Sequence, residues 1–237
     1  MRSMMKPVFV LSLFASILFS SASFAGANNP IKAKAIAIAK ESALLYDSLG
    51  LEDLGLDQKA FQYAWKGFVA LRDAGKLKNT DILSIADFSQ SSCKKRLYII
   101  DLATMTVYKN TYVAHGRGSG SEFAKTFSNI PQSHKSSLGF YITGNTYNGS
   151  HGLSLQINGV ERGINDKALY RRIVVHGSKY VGDGFLENNP FTGRSFGCPA
   201  VPQDETEDII NTIKEGSCLF IYHPSKTYLV KSKILNG

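Results

Sequence analysis

The spacing of apolar residues divides the chain into two textures. From residue 31 to about 79 the pattern is helical. The stretch "IKAKAIAIAKESALLYDSLG" alternates Ala, Lys and Ile and ends at Gly50, a natural helix stop. In "LDQKAFQYAWKGFVALRDAG", Phe61, Trp65, Phe68 and Leu71 fall three and four residues apart. That spacing predicts a helix with one aromatic face turned to the core, capped by Asp57 and stopped at Gly75.

Near Thr80 the rhythm becomes short, β-branched and aromatic, with turn residues between runs. "ILSIADFSQ" opens the series and "RLYIIDLATMTVYKNTYVAHG" reads as a hairpin around Ala103-Thr104. "SSLGFYITG", "GLSLQING", "RRIVVHGS" and "CLFIYHP" continue it, with "TYLVKSKIL" as the closing strand. Two helical interruptions are expected, "NDKALYRR" and "PQDETEDIINTIKEG", the second with acidic residues in its first turn and Gly216 at its end. The plan is a small helical N-terminal region, residues 26–79, followed by a mostly β domain with short helices, residues 80–237. There is no internal repeat and no low-complexity linker.

The first residues change the setting. A basic start (Arg2, Lys6), an apolar run from Val8 to Phe19 and small residues at Ser23 and Ala25 lay out a secretory signal peptide, residues 1–25. The run is short for a bilayer span, so an exported protein without a retained anchor is expected, in the periplasm or cell envelope. Removing two basic residues leaves (27 − 2) − 19 = +6. The basic residues are scattered and accompany no recognition-helix, zinc-finger or stacking motif, which argues against nucleic acid as partner. Three cysteines, Cys93, Cys198 and Cys218, permit at most one internal bridge, so at least one thiol is free or paired outside the chain. Cys93 and Cys218 flank strand-like runs and are the expected pair.

Candidate chemistry concentrates in "RRIVVHGSKYVGDG" and "NPFTGRSFGCPAV". The apolar strand Ile173-Val174-Val175 delivers His176 to a strand end, where Gly177 lets backbone approach a ligand. Gly197 and Pro199 frame Cys198 in a turn whose N–H groups could meet an oxyanion. A cysteine becomes an effective nucleophile when a base or cation stabilises its thiolate, and His176 is the candidate base. The competing readings are a hydrogen-bonded core histidine and a metal site. His176, Cys198, His151 and His223 lack the short paired spacing that zinc ligation favours, so no metal is expected. "HGRGSGSEF" lacks the features of a phosphate-binding loop and reads as a mobile loop.

These two stretches resemble the L,D-transpeptidase catalytic-domain (YkuD-like) family, in particular its murein L,D-transpeptidase branch. The resemblance rests on His176-Gly177 at a strand end, then Ser195-Phe196-Gly197-Cys198 followed by Pro199-Ala200-Val201. "AHGRGSGSEFAKTFSN", "SSLGFYITG" and "YNGSHGLSLQINGVERGIND" support it, and it covers roughly residues 90–223. It implies a YkuD-like β-sandwich or barrel acting on peptidoglycan stem peptides without a cofactor. Cys198 would attack the carbonyl of the L-centre in an L-to-D bond, His176 would move the proton, and the Gly177 carbonyl would orient the imidazole. Gly197 and Cys198 would donate to the oxyanion. An amine acceptor would give a 3–3 crosslink, water an L,D-carboxypeptidase; a wall-binding protein without catalysis is the third possibility. Many family members carry arginine two places after the cysteine, where this chain has Ala200. Arg194 is the expected substitute for a substrate carboxylate, with Ser195, His151 and Tyr147 as further substrate contacts.

Overall fold

The computed structural model describes residues 30–237, so the signal-peptide assignment at residues 1–25 lies outside the described residues. Helix α1 (Pro30–Ser48) runs over the surface and buries Ser42 and Tyr46 along its length. Helix α2 (Gln58–Asp73) begins as the sequence predicts: the Asp57 carboxylate accepts the N–H groups of Lys59 and Ala60. A cap of this kind is worth about 1 kcal/mol.

Eight strands follow: β1 (Ile82–Asp87), β2 (Leu97–Asp101), β3 (Thr106–Thr111), β4 (Gly139–Gly149), β5 (Gly152–Gly159), β6 (Val174–Ser178), β7 (Ala200–Pro202) and β8 (Cys218–Tyr222). They form one sheet in the order β3-β2-β1-β8-β4-β5-β6-β7, with β1–β8 and β6–β7 parallel and the other neighbours antiparallel. The β2–β3 hairpin turns at Ala103-Thr104, whose N–H groups are both taken by the Asp101 carboxylate, an Asx turn of the kind aspartate favours.

Between β6 and β7 lies one short helix, α3 (Asp183–Leu186). The sheet curls. Helix α4 (Thr206–Ile213) buries Ile209, Ile210 and Ile213 and touches β1, β5 and β6. β1 and β6 stand four places apart in the sheet, roughly 19 Å if it were flat. A helix about 10 Å across reaches both only if the sheet wraps around it. At the rim, Ala114, just past β3, bridges to Ala200 of β7 and nearly closes a barrel. On another side α2 lays Phe61, Trp65, Phe68 and Leu71, all buried, toward β1 and β8.

Three expectations are corrected. "NDKALYRR" is a series of turns: Asn165 spends its side chain on the Leu138 and Phe140 carbonyls and on the Glu161 N–H, and Arg172 turns to φ +55°. "TYLVKSKIL" is not a strand but two short helices, α5 (Lys226–Lys231) and α6 (Lys233–Asn236), each started by a serine cap, Ser225 and Ser232. The Cys93–Cys218 bridge is not made, and all three cysteines are free. Cys218 pairs with Leu83 at the start of β1, whereas Cys93 lies in the loop beyond Asp87 at that strand's other end. Four strand residues, about 13 Å, separate the two ends.

Candidate active site

β6 is held between β5 and β7, with His176 registered against Ser154 on one side and Ala200 on the other. The ring is buried, and its Nδ1 lies 2.9 Å from the Gly177 carbonyl oxygen. A carbonyl can only accept, so Nδ1 carries the proton and Nε2 is left as the basic nitrogen. Burial holds the imidazole pKa below its ordinary value, and His151, stacked on it at 4.4 Å between ring centroids, pushes the same way. Gly177 is required by packing. A Cβ there would lie 2.0 Å from Thr206 Oγ1, at the start of α4.

Cys198 sits on a turn built by Ser195. Ser195 Oγ donates to the Cys198 carbonyl at 2.6 Å and accepts the Gly197 N–H at 3.0 Å. Gly197 adopts φ +126°, and a Cβ there would press on the Lys135 carbonyl at 2.9 Å. The Ser195 hydroxyl thus frames the turn, its proton and one lone pair engaged within it, and it also lines the cavity in front of Cys198. The Gly197 N–H is engaged by that hydroxyl, so of the pair the Cys198 N–H is the one that could meet an oxyanion. The thiol, partly buried, lies 3.8 Å from the Arg172 carbonyl oxygen. Burial pushes its pKa up, while the backbone of Val174, the Arg171 guanidinium and its own N–H favour the thiolate.

One cavity of about 560 Å³ brings together Cys198, His176, His151, Tyr147, Ser195 and Arg194. Gly177 and Gly197 are not among its lining residues. Arg194, at the rim, donates to the Gly120 carbonyl at 3.2 Å and lies over Phe191. Among the described residues no group of three or more His, Cys, Asp or Glu side chains could hold a metal ion.

Sequence reasoning missed two features. Arg171 lines the cavity beside Cys198, locked to the Ser128 carbonyl (2.8 Å), the Ser137 hydroxyl (2.5 Å) and the Lys135 carbonyl (2.5 Å). The adjacent Arg171-Arg172 before an apolar strand was the available signal, but its partners lie more than 30 residues away. Second, "HGRGSGSEF" is clamped, not loose. His115 is fully buried, its carbonyl accepts the Ser195 N–H at 3.1 Å, and its Nδ1 meets Arg96 at 2.8 Å. Burial takes the His115 pKa down to about 3 and that of the equally buried Arg96 to about 9, so Arg96 carries the charge and His115 is neutral. Gly116 N–H reaches Ser136 Oγ, which donates to the Gly197 carbonyl at 3.1 Å. The turn that carries Cys198 thus rests on this clamped segment.

The sequence pattern of the L,D-transpeptidase catalytic domain matches residues 52–222, well over half of the chain. The chain belongs to the L,D-transpeptidase catalytic-domain family. It is similar to an L,D-transpeptidase from Mycobacterium smegmatis (9% identity, 60% of this chain and 59% of that one, TM-score 0.38). It is also similar to L,D-transpeptidase 3 from Mycobacterium tuberculosis (11% identity, 60% and 61%, TM-score 0.38). A third similar structure is the helical cell shape determining protein Pgp2 from Campylobacter jejuni (16% identity, 72% and 61%, TM-score 0.39). The chain spans about 60% of the length of these proteins. No curated protein matches it.

Proposed function

We propose that this chain is a peptidoglycan L,D-transpeptidase of the cell envelope with Cys198 as nucleophile. The observation that carries the reading is that Cys198 and His176 line one cavity, the imidazole held by Gly177 in the tautomer that leaves Nε2 basic. As the sulfur attacks the carbonyl of the L-centre before the terminal D-alanine of a tetrapeptide stem, Nε2 takes the thiol proton. The Cys198 N–H meets the oxyanion. Collapse breaks the carbon–nitrogen bond, the D-alanine amine receives the proton from His176, and a thioester remains. An amine from a second stem then attacks the thioester, gives its proton to His176 and expels the sulfur, which takes that proton back. The product is a 3–3 crosslink. Water in place of the amine would yield a free tripeptide stem.

Ala200 supports a particular docking. This position is fully buried in β7 against Tyr112, Ala114 and Val181 and turns no side chain to the cavity, whose lining instead offers Arg194 at the rim, the cation we assign to the substrate carboxylate. The test is Cys198→Ala on a purified tetrapeptide-stem muropeptide. D-alanine release should fall to background and a carbapenem should no longer add its mass to the protein. Release at the wild-type rate would sink the assignment, and counting dimers against free tripeptide decides between amine and water as acceptor.

A further inference from the structure

The β4–β5 hairpin supplies Tyr147 and Ser154 to the catalytic cavity, and farther along the same strands a second concavity opens. It encloses about 770 Å³ and draws on Lys76, Lys78, Asn145, Gln156 and Asn158. Among the described residues, none of these five side chains has a hydrogen bond or ion pair within the chain. Three are carboxamides, each presenting a donor beside an acceptor. Lys76 and Lys78 are balanced in the lining by Asp81 and Glu215, so the groove has no net charge with which to select phosphate or another polyanion. Adjacent donors and acceptors without net charge suit hydroxyl and acetamido groups.

The groove lies farther along the strand that borders the catalytic cavity. Ser154 pairs with His176, and Gln156 pairs with Val174, which itself lines that cavity. Ser154, Gln156 and Asn158 point to one face of β5, and the run from 154 to 158 covers about 13 Å. In a tetrapeptide stem acylated at its third residue, about 10 Å of extended chain separates the acyl carbon from the sugar. A stem lying along this hairpin with its acyl carbon at Cys198 would set its sugar over Gln156 and Asn158.

We propose that this groove binds the aminosugar strand that carries the stem peptide, so that one hairpin holds both parts of the substrate. The inference rests on the stem-peptide reading of the catalytic cavity for its geometry. The probe is a β-1,4-linked N-acetylglucosamine tetramer, which has no peptide, titrated into the full chain by nuclear magnetic resonance. Saturable shifts confined to the groove are expected, and the Gln156→Ala/Asn158→Ala double variant should bind about tenfold more weakly, as loss of two neutral hydrogen bonds implies. Its thermal midpoint should not move, since neither side chain bonds within the chain. In turnover, wild type should prefer a disaccharide-linked tetrapeptide over the free tetrapeptide by about tenfold in kcat/KM, and the double variant should lose that preference. No sugar binding together with equal kcat/KM for the two substrates overturns the groove and leaves the stem reading intact. Sugar binding lost in the variant, with neither substrate turned over, upholds the groove and overturns the stem reading.

Discussion

At the scale of single residues, Cys198 and His176 sit in environments that both favour the neutral form. Burial raises the Cys198 thiol and lowers the His176 imidazole, so the resting pair is thiol and imidazole rather than thiolate and imidazolium. Proton transfer then belongs to the attack itself. Alkylation of Cys198 by iodoacetamide should therefore climb only above the ordinary thiol range; a plateau already reached below pH 7 would contradict this. Turnover should retain its acidic side to a pH below the ordinary histidine value, because His176 stays basic there. His151→Ala should move that limb upward by removing the stacked ring that pushes the His176 pKa down. His115 gives a second pH effect, on stability. Its folded pKa is about 3 against an unfolded 6.5, so below pH 6.5 the unfolded chain binds a proton that the folded one refuses. That stabilising contribution is complete above 6.5 and is lost as pH falls toward 3, at up to about 1.4 kcal/mol per pH unit. Urea unfolding between pH 7 and 4.5 should show a shallower slope for His115→Asn than for wild type; parallel slopes would rule the account out.

At the scale of elements, what was legible in the sequence is what local pattern dictates. The α2 stripe, the Asp57 cap, the Ala103-Thr104 turn and the strand runs all depend on neighbours within a few residues. The turn presenting Cys198 and the strand end presenting His176 are equally local, which is why both could be named. The misread segments are those in which a distant group decides. "TYLVKSKIL" has strand-like alternation, yet Glu161 holds it as helices: its carboxylate accepts the Tyr228 hydroxyl at 3.1 Å, the Ser232 hydroxyl, and the Phe140 N–H of β4 at 2.8 Å. Burial raises the Glu161 pKa while these donors pull it back. Arg171 and the Arg96–His115 pair were invisible for the same reason, since their partners come from other parts of the chain. Glu161→Ala orphans three buried donors at about 1 kcal/mol each, so the thermal midpoint should fall by roughly 6–12 °C. Amide exchange protection over residues 226–236 should be lost with it. A midpoint within about 2 °C of wild type would mean that the C-terminal helices are held some other way.

At the scale of the whole molecule, the question is whether residues 26–79 form an appendage or part of the domain. α1 and α2 differ sharply here. α1 touches the rest chiefly through α2 and buries Ser42 and Tyr46. α2 buries Phe61 and Phe68 entirely, with Trp65 and Leu71 nearly so, in the same core as β1, β4 and β8. Its Gly67 lies so close to β4 that a Cβ would fall 1.9 Å from the Phe140 ring. At about 2 kcal/mol for each buried side chain, the four apolar residues of α2 contribute roughly 8 kcal/mol. That rivals the 5–15 kcal/mol by which a whole domain is stable. A chain beginning at residue 50 should therefore fold cooperatively with modestly reduced stability, followed through the single tryptophan, Trp65. One beginning at residue 76 should be insoluble, because the sheet face that α2 covers would be bare. A soluble 76–237 fragment with native far-UV circular dichroism would show instead that the helical region is a separate unit resting on a self-sufficient barrel. The turn that carries Cys198 would then owe its shape to the clamp from Arg96 through His115 and Ser136.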